Sequence, residues 1–357
     1  MQRALSAPGK LFLAGEYAVL WGGAARLCAV GPRVSAFVRR RADREVHVVL
    51  RDGRLVGHTT PAGARWSGGE VPEAFRFVAR AIDEALRAVG GEPLGFEFAV
   101  APSPVSPEGR KLGFGGSALA TVLASEASRF VLEGKFDALK LALLAHASSQ
   151  GGRGSGADVA CSFAGGVVRY RRFEVAPLLD ASTAGTLSAA LSGSPPVELW
   201  KLPAPKVALG YAFTRQSAST PKMVTKVEAQ LSREARARFV VQSDLHGEAL
   251  ERGLGAGDFP LVRDSVEALQ ALLGTLGQGV LTDEMAQIIA LCRTVGACAK
   301  LSGAGGGDGC VLFAPDVEVL GAALEALGAR GFHAFGLVVE EGLRGEASAP
   351  ADLLQWL

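Results

Sequence analysis

Residues 111–118 read Lys111-Leu112-Gly113-Phe114-Gly115-Gly116-Ser117-Ala118, and a run free of glycine and proline continues to Leu132. A glycine loop that opens a helix is a ready anion site. The first N–H groups of the helix lack intrahelical partners, and the positive end of its dipole faces the ligand. Glycine also lets the backbone adopt positive φ and approach a ligand closely. The hydroxyl of Ser117 can reach a phosphate or a metal ion. Two common phosphate motifs fit less well. Gly113, Gly115 and Ala118 satisfy the loose G-x-G-x-x-G/A dinucleotide pattern, which should follow a strand directly. Here Pro102, Pro104 and Pro107 precede the loop. The P-loop pattern G-x-x-x-x-G-K-[ST] is not present in the sequence.

Two more glycine clusters lie outward from this one, in Pro8–Gly23 and Gly303–Gly309. Ordinary turns explain one such cluster better than three. Between them runs Gln150-Gly-Gly-Arg-Gly-Ser-Gly-Ala-Asp158. An acid after a glycine turn can cap the next helix. It can also accept a proton from a substrate hydroxyl, or orient it. Lys10 begins a strand after Ala7-Pro8-Gly9 and reads either as a solvated strand end or as a charge partner. An ammonium near Asp158 would keep that carboxylate ionised and offset charge on a transferring group. Lys300 to Gly309 is too dense in glycine for a packing element.

Composition narrows the classes. The 357 residues are 48% hydrophobic with net charge +1, enough for one large or two ordinary domains. The basic groups Arg39–Arg41 with Arg44, and Arg169, Arg171 and Arg172, read as strand ends, so nucleic acid is not an expected partner. No apolar run reaches the roughly 18 residues of a membrane span, and a soluble cytoplasmic protein is expected. Five irregularly spaced cysteines argue against a disulfide frame or a structural zinc.

Periodicity places strands at Lys10–Ala14, Arg33–Arg39, Val46–Leu50, 94–100, Lys206–Phe213, Val311–Ala314 and His333–Glu340. Helices are expected near 73–89, 117–132, 136–149, from 155 with Asp158 in the first turn, and near 221–232, 235–252, 258–273, 282–295 and 316–329. The stretch Ala181–Pro205, rich in Ala, Ser, Gly and Pro, reads as a domain connection. Strands and helices mix without strict βαβ alternation, so we expect an α+β chain of two lobes, 1–205 and 206–357.

Three motifs in order resemble those of the GHMP kinases. They are Ser6-Ala-Pro-Gly-Lys-Leu-Phe-Leu-Ala-Gly-Glu-Tyr-Ala-Val-Leu20, Lys111–Ala118 against Gly-Leu-Gly-Ser-Ser-Ala, and Leu301–Gly309 against Pro-Ser-Gly-Ala-Gly-Gly-Gly-Asp. Within the family, Ala145-His146, Gln150-Gly151, Gly154–Ala160, Arg169–Phe173 and Ser217–Val224 look like the phosphomevalonate kinase branch. The resemblance implies a mixed β/α N-terminal lobe and a ferredoxin-like C-terminal lobe. It also implies ATP with Mg²⁺, and transfer of the γ-phosphoryl group to 5-phosphomevalonate. By the same resemblance Asp158 and Lys10 are catalytic. Lys111, Gly113, Gly115, Gly116, Ser117 and Ala118 embrace the nucleotide phosphates, with Ser117 beside Mg²⁺. Lys111, Arg153, Ser155, Ser217, Ser219 and Thr220 hold the substrate, and Ser302, Gly303, Ala304, Gly305 and Gly306 close on it from the second lobe. A monomer or homodimer acting on a small molecule is expected.

Two departures stand out. Gly116 replaces the first serine of the usual pair. The metal-binding glutamate of mevalonate kinases falls near Ala147, and no acid lies between Asp137 and Asp158. Rival expectations are a mevalonate, homoserine or sugar kinase, mevalonate diphosphate decarboxylase, and a ligand sensor without catalysis.

Overall fold

Strand β1 (Gln2–Ala14) is buried along most of its length and pairs antiparallel with the 17-residue β2 (Ala24–Arg40). These strands are the spine of a sheet. The computed structural model describes residues 1–51, 53–91, 93–106, 109–152, 154–216 and 220–357. The sheet continues through β3 (Glu45–Leu50), β4 (Gly53–Thr60), β5 (Gly63–Trp66) and β6 (Phe96–Val100), in the order β1-β2-β6-β3-β4-β5. The first half of β2 pairs instead with β7 (Val167–Arg171), which carries β8 (Leu199–Leu202). Strand β3 runs parallel to β6.

Three helices cover one face: α1 (Arg76–Val89), α2 (Gly116–Val131) and α3 (Ala138–Ser149). Their packing follows from composition. Helix α2 buries Ala118, Leu119, Val122, Leu123 and Ala127 against Phe96, Phe98 and the strand valines. Removing this much apolar surface from water, at roughly 25 cal/mol per Å², is what seats the helix. Asp137 starts α3 by accepting from Leu139 N at 2.9 Å and Lys140 N at 3.1 Å. Helix α4 (Ala157–Ala164) follows, with Asp158 in its first turn as expected.

The stretch Ala181–Pro205 is not a bare connection. It holds the end of α5 (Ala176–Ala184), all of α6 (Leu187–Gly193) and β8. Leu178, Leu187 and Leu191 bury in the main core. Sparse leucines anchor a segment whose Ala and Ser content reads as linker.

After the first sheet come α7 (Thr220–Gln230), α8 (Arg233–Ala256), α9 (Phe259–Gly274), α10 (Asp283–Thr294) and α11 (Val317–Ala329). They pack around β9 (Ala208–Phe213), β10 (Cys298–Ser302), β11 (Gly309–Ala314) and β12 (His333–Gly336). These strands are antiparallel in the order β10-β11-β9-β12, the ferredoxin-like arrangement.

The chain then crosses back. Strand β13 (Arg344–Glu346) pairs with β1 on the first sheet. Helix α12 (Ala351–Gln355) seats Leu353 among Ala4, Phe37, Val49 and Ala99. Residues 206–357 therefore form the second sheet but also finish the first. Leu11, Leu13, Val30 and Phe114 share one apolar cluster with Leu209, Tyr211, Val311 and Phe313, so the two lobes have a common core.

Candidate active site

The glycine loop lies between the lobes, and each of its residues has a visible constraint. Phe114 is buried beneath it and meets Tyr211 edge-on at 5.0 Å, while Tyr211 donates to the Leu112 carbonyl at 2.7 Å. The second lobe thus pins the loop. From the first lobe, Lys10 N donates to Phe114 O at 3.1 Å, and Lys10 Nζ donates to Gly113 O at 3.1 Å. Gly115 has φ of +84° and caps α2, a backbone conformation that strains other residues. A Cβ there would sit 3.2 Å from Lys10 Cε and 3.7 Å from Asp158 Cβ. Lys10 and Asp158, far apart in sequence, therefore flank Gly115 at the mouth of the α2 N-terminus.

A cavity of about 1040 Å³ opens here. Lys10, Lys111, Gly113, Gly115, Gly116, Ser117, Ser155, Asp158, Ser302, Gly303 and Ala304 line it. Other expected residues lie elsewhere. The Ala118 side chain is fully buried in the core under the loop. Gly305 and Gly306 turn onto the second lobe. Gly306 N donates to Val280 O at 2.9 Å, and a Cβ on Gly305 would meet that carbonyl at 2.3 Å. Arg153, Ser217 and Ser219 lie outside the described residues, and for Thr220 only its place at the start of α7 is described.

The third glycine cluster does more fastening than expected. Ser302 Oγ accepts from Phe12 N at 2.9 Å and donates to Phe12 O at 3.0 Å. Tyr17, a non-glycine residue at φ of +61°, donates its hydroxyl to Ala304 O at 2.6 Å. Burial pushes the Tyr17 phenol up, so it stays a donor. Below them Lys300 Nζ pairs with Glu16 Oε1, with side chains 0% and 2% exposed. Gly303 offers bare backbone to open space. Asp308, at φ of +57°, brings a carboxylate against Gly113 from the second lobe and lines the cavity.

Gly116 has a steric reason. A Cβ on it would fall 2.5 Å from Ser103 Oγ. A serine hydroxyl from the Pro102–Pro104 loop already fills the space where the family pattern has a side chain.

His146, quoted above only in the Ala145-His146 resemblance, is a cavity residue given no role there. It is 1% exposed on α3, lines the cavity, and packs on Phe77 with ring centroids 5.2 Å apart. Its Nε2 stands 3.2 Å from Ser117 Oγ, 3.5 Å from Gln150 Nε2 and 4.0 Å from Asp158 Oδ2. Burial lowers its pKa, while the Asp158 charge opposes that shift. The available signal was His146 and Gln150 at i and i+4, one helical face entering a glycine cluster. Elsewhere, burial pushes the thiols of Cys28, Cys292 and Cys298 up to about 12, which removes them as nucleophiles.

This arrangement suits phosphoryl transfer: a helix N-terminus for phosphates, a lysine for charge and a carboxylate for the acceptor, gathered in one cleft. Among the described residues, no group of three or more His, Cys, Asp or Glu is placed to hold a metal ion, and no helix is long and apolar enough to cross a membrane.

Comparison with known proteins bears on the family and the fold. Residues 248–333 match the GHMP kinases C terminal family model. A phosphomevalonate kinase of Streptomyces sp. (strain CL190) is 31% identical over 331 residues, spanning 85% of this chain and 87% of that protein. A mevalonate kinase of Aeropyrum pernix is 30% identical over 317 residues, 86% of each. The fold matches Streptococcus pneumoniae phosphomevalonate kinase in complex with phosphomevalonate and AMPPNP, with TM-score 0.78 and 20% identity over 93% of this chain and 99% of that one. The chain belongs to the GHMP kinase family.

Proposed function

We propose that the protein transfers the γ-phosphoryl group of ATP to the phosphate of 5-phosphomevalonate, giving 5-diphosphomevalonate and ADP, in the mevalonate route to isoprenoids. The observation that carries kinase chemistry is the pairing of Lys10 and Asp158 across Gly115, at the mouth of a glycine-capped helix. The Streptomyces relative supports the acceptor. The bond from the γ-phosphorus to the ADP oxygen breaks as one to the acceptor's phosphate oxygen forms. Free N–H groups of Gly115, Gly116 and Ser117 take the nucleotide phosphates. Lys10, steadied by the Gly113 carbonyl, offsets charge on the moving phosphoryl group. Asp158 orients the acceptor. A phosphate acceptor is mostly ionised near neutral pH, so little base catalysis is required of that carboxylate. Positioning and electrostatics supply most of the rate.

The oxygen donors Ser117 and Asp158 fit Mg²⁺, which keeps few protein ligands and takes the rest from substrate phosphates and water. When bound it would neutralise phosphate charge. Lys111 and Ser155 are the cavity residues we assign to the substrate's anionic groups. We take the site of action to be the cytoplasm, where ATP is at hand and the five free, buried cysteines stay reduced.

The Aeropyrum relative favours mevalonate as a second acceptor. Against it, Ala147 is buried on α3 where the resemblance places the mevalonate kinases' metal-binding glutamate. An ADP-release assay offering mevalonate, 5-phosphomevalonate, homoserine and galactose separates these readings. Turnover should appear with 5-phosphomevalonate. Turnover with mevalonate alone, or a sugar alone, overturns the assignment.

A further inference from the structure

His146 has a lopsided environment. Its Nε2 faces the Ser117 hydroxyl, the Gln150 amide and the Asp158 carboxylate, at 3.2, 3.5 and 4.0 Å. Its Nδ1 is buried with no hydrogen-bond partner among the described residues. A neutral imidazole carries one hydrogen, and its two nitrogens then differ in role. Placed on Nδ1, that hydrogen would be a buried donor without an acceptor, the kind of orphan that folded proteins rarely tolerate. Placed on Nε2, it meets a hydroxyl oxygen and lies beside the acceptor oxygens of the Asp158 carboxyl group. The Gln150 amide presents an acceptor as readily as a donor, by turning its end over.

We infer that His146 is a positioning residue that donates its Nε2–H to Ser117 Oγ and thereby aims the serine's own hydrogen into the cavity. A serine hydroxyl has one hydrogen and two lone pairs. One lone pair is taken by His146. The O–H and the remaining lone pair then face forward together. Ser117 can hand a hydrogen bond to a nucleotide phosphate oxygen even with no cation present. A Ser117 that served only a metal ion would give no such help. The inference rests on the kinase reading for its ligand, but not for its geometry.

Two measurements test it. Ring ¹⁵N shifts of the ligand-free protein, with the His146 signal assigned by its loss in the H146Q variant, should show a protonated Nε2 and a bare Nδ1. ATP affinity is then measured in excess EDTA, without divalent cation. His146→Leu and Ser117→Ala should each weaken it roughly five- to tenfold, the size of one hydrogen bond. His146→Gln should restore most of the loss, because its amide can reach the Nε2 position. His146→Asn, which mimics Nδ1, should not. A protonated Nδ1, or leucine and serine variants that bind metal-free ATP as the wild type does, overturns the inference. Should the wild type bind no ATP even with Mg²⁺ restored, the kinase reading fails, while the ring shifts still decide the tautomer; ATP binding that appears only with Mg²⁺ overturns the metal-free hydrogen bond.

Discussion

Asp158 reaches its place through glycine on two sides. Gly156 caps α4 at φ of +76°, where a Cβ would run into Leu143 at 2.5 Å. Gly115 leaves the gap between Asp158 and Lys10. Asp158→Asn keeps the shape and removes the charge. We expect turnover to fall by about 10²- to 10³-fold, the range for loss of one preorganised electrostatic group, with ATP affinity changed much less. Steady-state rates beside equilibrium ATP binding check this, and near-normal turnover would remove Asp158 from the chemistry. At this scale the motif resemblance named Lys10, Ser117 and Asp158, and the structure brings all three to one cavity. His146 was not legible. A lone histidine in an Ala- and Leu-rich helix reads as core, and its value depends on Ser117, 29 positions away, coming within 3.2 Å.

Among the elements, α2 and the Pro102–Pro104 loop are matched through a single volume. Gly116→Ser should collide with Ser103 and destabilise the protein by roughly 1–3 kcal/mol, as overpacking does. Ser103→Gly in the same chain should recover most of that loss, because the two sites share one space. Denaturant midpoints of both single variants and the double variant measure the coupling, and simple additivity would show that the contact is slack. Sequence reading found Gly116 but not its reason, since nothing in residues 102–104 announces a steric partner for a helix start. The helices expected near 136–149 and 316–329 are present as α3 and α11, capped by Asp137 and by Asp316, whose carboxylate accepts from Glu318 N and Val319 N at 3.0 and 2.9 Å. The Ala181–Pro205 stretch was misread because Leu187 and Leu191 are buried anchors within a low-complexity background.

Across the whole molecule the lobes are joined by a dry ion pair. Lys300 and Glu16 are both enclosed, and Lys300 also donates to Leu301 O at 2.7 Å. Lys300→Met leaves a buried carboxylate alone and should cost about 3–5 kcal/mol, whereas removing both charges costs less. Chemical denaturation of Lys300→Met and of the Glu16→Gln/Lys300→Met pair tests this. A single loss below about 1 kcal/mol would mean that water reaches Glu16 and the pair is not a closed one. Two lobes were legible in the mixture of strands and helices. The return of β13 was not, because Arg344–Glu346 is three polar or glycine residues with no periodicity, held by β1 and by Ser6 Oγ on Glu346.

That return has a consequence for how the protein is made. The strand that covers the outer edge of β1 at Ala4–Ser6 is synthesised some 340 residues after it. Until then β1 offers a row of unpaired N–H and C=O groups, the template on which wrong strands add. The nascent chain must therefore keep that edge from strangers while the intervening 340 residues are made, so chaperone demand should peak before residue 344 emerges and drop once it does.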